Sequence, residues 1–237
     1  YDGSFDGLLT VVYMAYGDKN NGLRVIAEKE QFTLGLDDIH VTTDFSKARR
    51  VEKNICEKIS REFLNKMRTC FLSCDKNKDT AIVHTTYKAI KQGEKILNSL
   101  DEHAFHMNKL IKQVLSERHK YLGVLRFKEM KDGTMFATIE PKNNVLPALI
   151  SHFRNRMKRE RFAIFDKERE MIAYYDMKKV EIFFVKSPEI EWSDEEMEYS
   201  ELWKTFHKSI SIEERENRKL QQSNLPKYYW KHLVEEM

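Results

Sequence analysis

Arg126, Lys128 and Phe136 are the residues of this chain whose types and spacing best suit contact with a charged polymer. Two alternating runs, 124–130 and 134–140, flank Lys131-Asp132-Gly133, and an Asp-Gly pair between such runs marks a hairpin. A three-residue loop with Gly133 in the left-handed position pairs Leu125 with Ile139, Phe127 with Ala137 and Glu129 with Met135, which keeps the apolar groups together. The opposite face then carries Arg126 beside Thr138 and Lys128 beside Phe136, with Glu140 at its end. Cations interleaved with an aromatic ring and a hydroxyl suit a phosphate backbone and an unstacked base. The following segment adds Arg154, Arg156, Lys158, Arg159 and Arg161 on both sides of an apolar stripe of Leu146, Leu149, Phe153 and Met157. A merely solvated helix face has the same composition, so both readings stand.

A second group lies just upstream. On a helix from Glu102 to Leu122, at about 100° per residue, Arg118 falls inside the stripe formed by Met107, Leu110, Ile111, Val114 and Tyr121. It needs an outlet there: a buried ion pair, with Glu140 as the candidate, a stem that snorkels to solvent, or an anion held beside Glu117 and His119. Glu117, His119 and His152, with Glu140, are the candidate acid and base groups, but no motif ties them together. Cys70 and Cys74 could share one helix face as half a metal site, yet no CxxC or HxxxH supplies the other ligands, so no metal and no cofactor is expected. GxGxxG, GxxxxGK[ST], GxSxG and HExxH are all absent.

The elements that must position these residues follow from periodicity. Ser4 caps a helix through Phe5, Leu8, Leu9, Val12, Tyr13 and Tyr16, with Gly17 as its end. Ile39–Thr42 reads as a short strand, and Asp44 caps one long helix with the stripe Val51, Ile55, Ile59, Phe63 and Met67. Helices over 78–92 and 102–122 follow. After the hairpin comes a helix from about Val145, then strands over 162–166, 171–176 and 180–185. These strands are apolar almost throughout, which predicts a sheet covered on both faces. Ser193 with Glu196, and Ser211 with Glu214, form capping boxes, and a last short helix starts near Pro226. The expected fold class is α+β: a helical N-terminal half, a mainly antiparallel sheet of about five strands with an inserted helix, and a helical C-terminus. Residues 1–122 form the helical region, 123–188 the antiparallel α+β region, and 189–237 an acidic connector with C-terminal helices, together one compact unit.

With 237 residues, 41% of them hydrophobic and 33% charged, the chain can bury a sizeable core. Its longest apolar stretch, Leu8–Tyr16, is far short of the roughly 20 residues that span a bilayer. Three cysteines, Cys56, Cys70 and Cys74, are too few for a disulfide framework and point to the reducing cytoplasm. Net charge is +3, but 101–161 holds 13 Lys and Arg against 7 Asp and Glu, a local +6, so the remainder carries −3. The segment 189–201 has seven acidic residues and no basic one. A chain that opens on Tyr1 is expected to lack its natural start.

Five phrases are more specific than composition: YDGSFDGLLT (1–10), HVTTDFSKARRV (40–51), ERHKYLGVLRF (117–127), TIEPKNNVLPALISHF (138–153), and LWKTFHKSISIEERENRKLQQ with LPKYYW in 202–230. In these the chain resembles an uncharacterised bacterial family of probable DNA-metabolism proteins. Such proteins are encoded beside a putative DNA modification or repair radical-SAM protein, and a related domain is fused to uracil-DNA-glycosylase-like domains. The resemblance implies an accessory role in DNA repair or modification, with DNA and a radical-SAM or glycosylase protein as partners. It carries over no catalytic residue. Two alternatives stay open: a protein-interaction scaffold that does not touch DNA, and a DNA-processing enzyme built on Glu117, His119 and His152.

Overall fold

The computed structural model describes residues 1–16, 23–28, 38–210 and 217–233. The chain divides into two compact units, Tyr1–Leu115 and Ser116–Met237. The division falls inside one long helix.

The first unit is helical among its described residues. Helix α1 (Phe5–Ala15) starts at Ser4, whose Oγ accepts the Gly7 N–H at 2.9 Å. α2 (Phe45–Lys58) starts at Asp44, whose carboxylate accepts from the Ser46 and Lys47 amides. The single long helix expected after Asp44 is two helices. Ile59 leaves helical geometry, and Ser60 caps α3 (Arg61–Phe71) by accepting the Phe63 N–H at 2.9 Å. The apolar stripe survives the break because Ile55, Phe63 and Met67 still enter one core, so periodicity alone does not reveal it. α4 (Lys78–Gln92) and the first half of α5 (Glu102–Val124) complete that core, joined by a 3-10 turn over Glu94–Asn98. The strand expected at Ile39–Thr42 does not form; Ile39 is 81% exposed. Gly17 lies outside the described residues.

The second unit is built on five strands in sequential order: β1 (Lys128–Glu129), β2 (Met135–Ile139), β3 (Phe162–Asp166), β4 (Met171–Tyr175) and β5 (Val180–Phe184). All neighbours are antiparallel except β2 and β3, which run parallel because helix α6 (Leu146–Arg156) carries the chain back between them. The fold is therefore α+β with the inserted helix that the pattern implied. The hairpin loop has the three residues Lys131-Asp132-Gly133, with Gly133 at φ +75° and the expected register of Glu129 opposite Met135 and Lys128 opposite Phe136. β1 is shorter than the alternation suggests. α5 runs on to Val124 and the Leu125 amide still bonds to Tyr121, so residues 125–127 lie between α5 and β1 rather than within the strand.

One sheet face buries Ile139, Phe162 and Ile164 with Leu146, Leu149 and Phe153 of α6. Phe127 stacks edge-on against Phe153 and Phe162. The other face buries Phe136, Ala163 and Phe165 under Ile190 and Trp192. That cover ends before the edge of the sheet. Ile182, Phe183 and Phe184 of β5 are 47%, 45% and 79% exposed, so the expectation of a sheet covered on both faces fails at this strand.

Two further helices follow, α7 (Asp194–Ile210) and α8 (Arg218–Asn224), with a final 3-10 segment over Lys227–His232. Ser193 caps α7 by accepting the Glu196 N–H at 3.1 Å. The second half of that capping box is redirected: the Glu196 carboxylate takes the Glu129 amide at 3.0 Å, which ties α7 to β1. The capping box at Ser211 and Glu214 lies outside the described residues. No helix among the described residues is long and apolar enough to cross a membrane.

Candidate nucleic-acid interface

The two ends of α6 hold most of the polar residues singled out above. Its N-terminal approach, Pro141-Lys142-Asn143-Asn144, is irregular backbone whose amides need acceptors. Glu117 provides two of them. Only 7% exposed, it accepts the Lys142 and Asn143 amides at 2.8 Å each and the Asn143 Nδ2 at 2.7 Å. Arg169 grips the loop's carbonyls, with Nη1 on Pro141 at 3.0 Å and Nη2 on Lys142, and also pairs with the fully buried Asp166 at 3.0 Å. Burial pushes the Asp166 carboxyl above the ordinary carboxylate range, opposed by Arg169 and by the amides of Arg169 and Glu168.

The same network takes in the C-terminus. Tyr228 donates its hydroxyl to the Glu140 carbonyl, and the Glu140 amide donates to the buried Tyr121 hydroxyl at 3.3 Å. Tyr121 and Tyr229 meet edge-on at 5.1 Å. Burial raises both phenols, Tyr229 to about 12 with a contribution from Glu117, so neither ionises near neutral pH. Neither periodicity nor motif points to Asp166 and Arg169. A charged residue closing the apolar run Phe162–Phe165, with an arginine three positions on, was the available signal.

The candidate acid and base groups differ in what they touch. Glu117 already accepts three hydrogen bonds, His119 is exposed, and His152 lies edge-on against Phe153 at 5.2 Å. Glu140 pairs with Lys167 at 3.6 Å rather than with Arg118, whose Nε is buried without a hydrogen-bond partner. Among the described residues, no group of three or more His, Cys, Asp or Glu is arranged to hold a metal ion. Cys70 is buried, and desolvation pushes its thiol up to about 12, which suits a packing role.

The C-terminal end of α6 is different in kind. Arg154, Arg156, Lys158 and Arg159 are all exposed, and none forms an ion pair among the described residues. Arg154 and Arg156 sit in the last helical turn, where cations also suit the helix dipole. Arg161 turns back and donates to the Asp132 carbonyl, joining this end to the hairpin. A shallow cavity of about 420 Å³ between them is lined by Glu129, Gly133, Arg159, Glu160 and Arg161, so two carboxylates accompany the cations there.

The hairpin residues are placed less simply. Arg126 donates to the Gly123 carbonyl at 3.1 Å and borders a second cavity, of about 490 Å³, with Phe127 and α7. Neither cavity is lined by Glu117, His119 or His152. Phe136 is only 3% exposed. Its ring faces Trp192 at 6.1 Å, so a base cannot stack on it without displacing Trp192. Lys128 stands opposite Phe136, but the chain after β5 folds back over this face. Lys128 instead lies over the half-buried Trp192 ring at 5.7 Å.

A family model, a domain of unknown function (DUF4130), matches residues 76–235 of the chain. No curated protein and no solved structure matches it.

Proposed function

The chain belongs to the family built on this domain of unknown function (DUF4130), and from that premise we propose that it is an accessory protein of DNA metabolism that holds nucleic acid at the C-terminal end of α6. The observation that carries this reading is the group Arg154, Arg156, Lys158 and Arg159, four exposed cations without an ion-pair partner among the described residues. Phosphate contacts by such groups are sequence-independent and release counterions. In this reading the polymer is DNA and the setting is repair or modification, supported by the resemblance to probable DNA-metabolism proteins, and the compartment is the cytoplasm, supported by the three cysteines. A radical-SAM or glycosylase protein is, in the same reading, the partner that does the chemistry.

In this reading the hairpin contributes Lys128 with Trp192 beside the phosphate track, while the network around Glu117 keeps α6 in place. Fluorescence anisotropy with labelled single-stranded and duplex DNA tests it. If all four cations meet phosphates, affinity for duplex falls roughly 100-fold between 50 and 200 mM salt. Binding to neither form at low salt rejects the proposal.

A further inference from the structure

Helix α7 does not take part in the surface just described, and its chemistry has the opposite sign. Tyr199, Leu202, Trp203, Phe206 and Ile210 recur at helical spacing and are 70%, 64%, 43%, 53% and 58% exposed. At about 100° per residue they fall within one arc of the helix, so this is a continuous stripe rather than scattered apolar residues. Beneath Tyr199, Trp203 and Phe206 lies the cavity of about 490 Å³, floored by Phe127 and Arg126. Phe127 is itself held edge-on by Phe153 and Phe162, so the floor is fixed by the core of the unit.

We propose that this stripe is the docking surface for a protein partner that presents an amphipathic helix, with Lys and Arg bordering its apolar face. Charge selects that occupant. The segment 189–201 holds seven acidic residues and no basic one, and the exposed Glu195 and Glu198 border the N-terminal half of the stripe. Such a rim repels nucleic acid and anionic lipid, and it repels a second copy of itself when the two acidic halves meet. It attracts a basic helix and sets its direction along the stripe. The cavity then takes one large anchoring side chain, in the helix-in-groove mode of recognition. The Lys204 and Lys208 side of α7 faces away from this arc; Glu201 pairs with Lys204 at 3.0 Å and Glu191 with Lys131 at 3.2 Å, and Arg126 lies in the cavity floor, so Glu195 and Glu198 are the carboxylates that give the border its charge.

The inference is independent of nucleic-acid binding, and the full chain tests it directly. The probe is a synthetic amphipathic helix of Leu and Lys, compared with the same peptide carrying Glu in place of Lys. Calorimetry should show the Leu/Lys peptide binding with marked salt sensitivity and the Leu/Glu peptide not binding. Leu202→Ala with Phe206→Ala should weaken binding about tenfold or more. Glu195→Lys with Glu198→Lys should weaken it by about as much at low salt, whereas Glu57→Lys with Glu102→Lys, an equal charge change on exposed residues of the first unit, should leave it unaltered. Far-UV dichroism of each variant should match the parent, since every altered side chain is exposed.

Equal binding of both peptides, or equal weakening by the two charge pairs, overturns the proposal. Two other outcomes overturn it in favour of different occupants. One is sedimentation as a dimer that Leu202→Ala with Phe206→Ala dissociates. The other is binding to phosphatidylserine vesicles that the same pair abolishes.

Discussion

The N-terminal and C-terminal ends of α6 carry similar numbers of polar side chains and use them in opposite ways. At the first, Asp166 pairs with Arg169, and Glu117, Arg169 and Tyr228 bond to the backbone of 140–143. At the second, Arg154, Arg156, Lys158 and Arg159 are exposed and make no ion pair among the described residues. Buried polar groups must be satisfied or they destabilise the fold. Exposed cations cost little to leave unpaired and stay available to an outside anion. The contrast separates residues that build the unit from residues that can serve a partner, although composition makes them look alike.

The largest effect should come from the structural end. Asp166→Ala strands Arg169 at a buried pair, and loss of one partner of such a pair costs about 3–5 kcal/mol. A shift of the urea midpoint equivalent to less than about 1 kcal/mol would mean that the pair adds little. Glu117→Ala should cost about 2–4 kcal/mol, because two amides and the Asn143 side chain lose their acceptor together. Glu117→Gln retains an acceptor oxygen and should recover a good part of that loss in the same melt; an equal loss in both would show that packing, not hydrogen bonding, is what Glu117 supplies.

Arg154→Ala, Arg156→Ala and Arg159→Ala combined should change stability by less than about 0.5 kcal/mol while reducing DNA affinity. A large fall in the melting temperature would erase the distinction between the two ends.

The smallest effect concerns pH and lies in the first unit. His103 stacks on His84 at 4.3 Å, with Lys88, Asp101 and Glu102 also near. Burial first, and then His84, lower its affinity for a proton, so the unfolded chain binds the proton more readily than the folded one. Stability is therefore intact above the ordinary histidine value of 6.5 and declines as pH falls below it. Replacing His103 with Asn should flatten that part of a stability profile recorded by thermal melts, and an unchanged profile would remove His103 from the account.

Much of this architecture is legible in the chain because the relevant rules are local. Ser4, Asp44 and Ser193 cap the helices that their positions announce, and Gly133 sets the hairpin register. What escapes is decided by distant segments. The Ser60 break is hidden by a stripe that stays in phase. Phe136 alternates as an outward residue and is then roofed by Trp192, fifty-six positions later. Glu117 looks like a free acid next to an arginine and a histidine until the loop at 142–143 closes on it. The basic residues of α6 were identifiable from the start, since exposure of charge needs no partner to be predicted.

The central claim is that the C-terminal cations of α6 are where nucleic acid is held, and the salt dependence of duplex binding tests it most directly. Plotted as the logarithm of affinity against the logarithm of salt concentration, the parent chain should give a slope of roughly −3.6, for about four phosphate contacts, and the Arg154, Arg156 and Arg159 triple alanine variant about −0.9. Equal slopes for the two proteins would contradict the account.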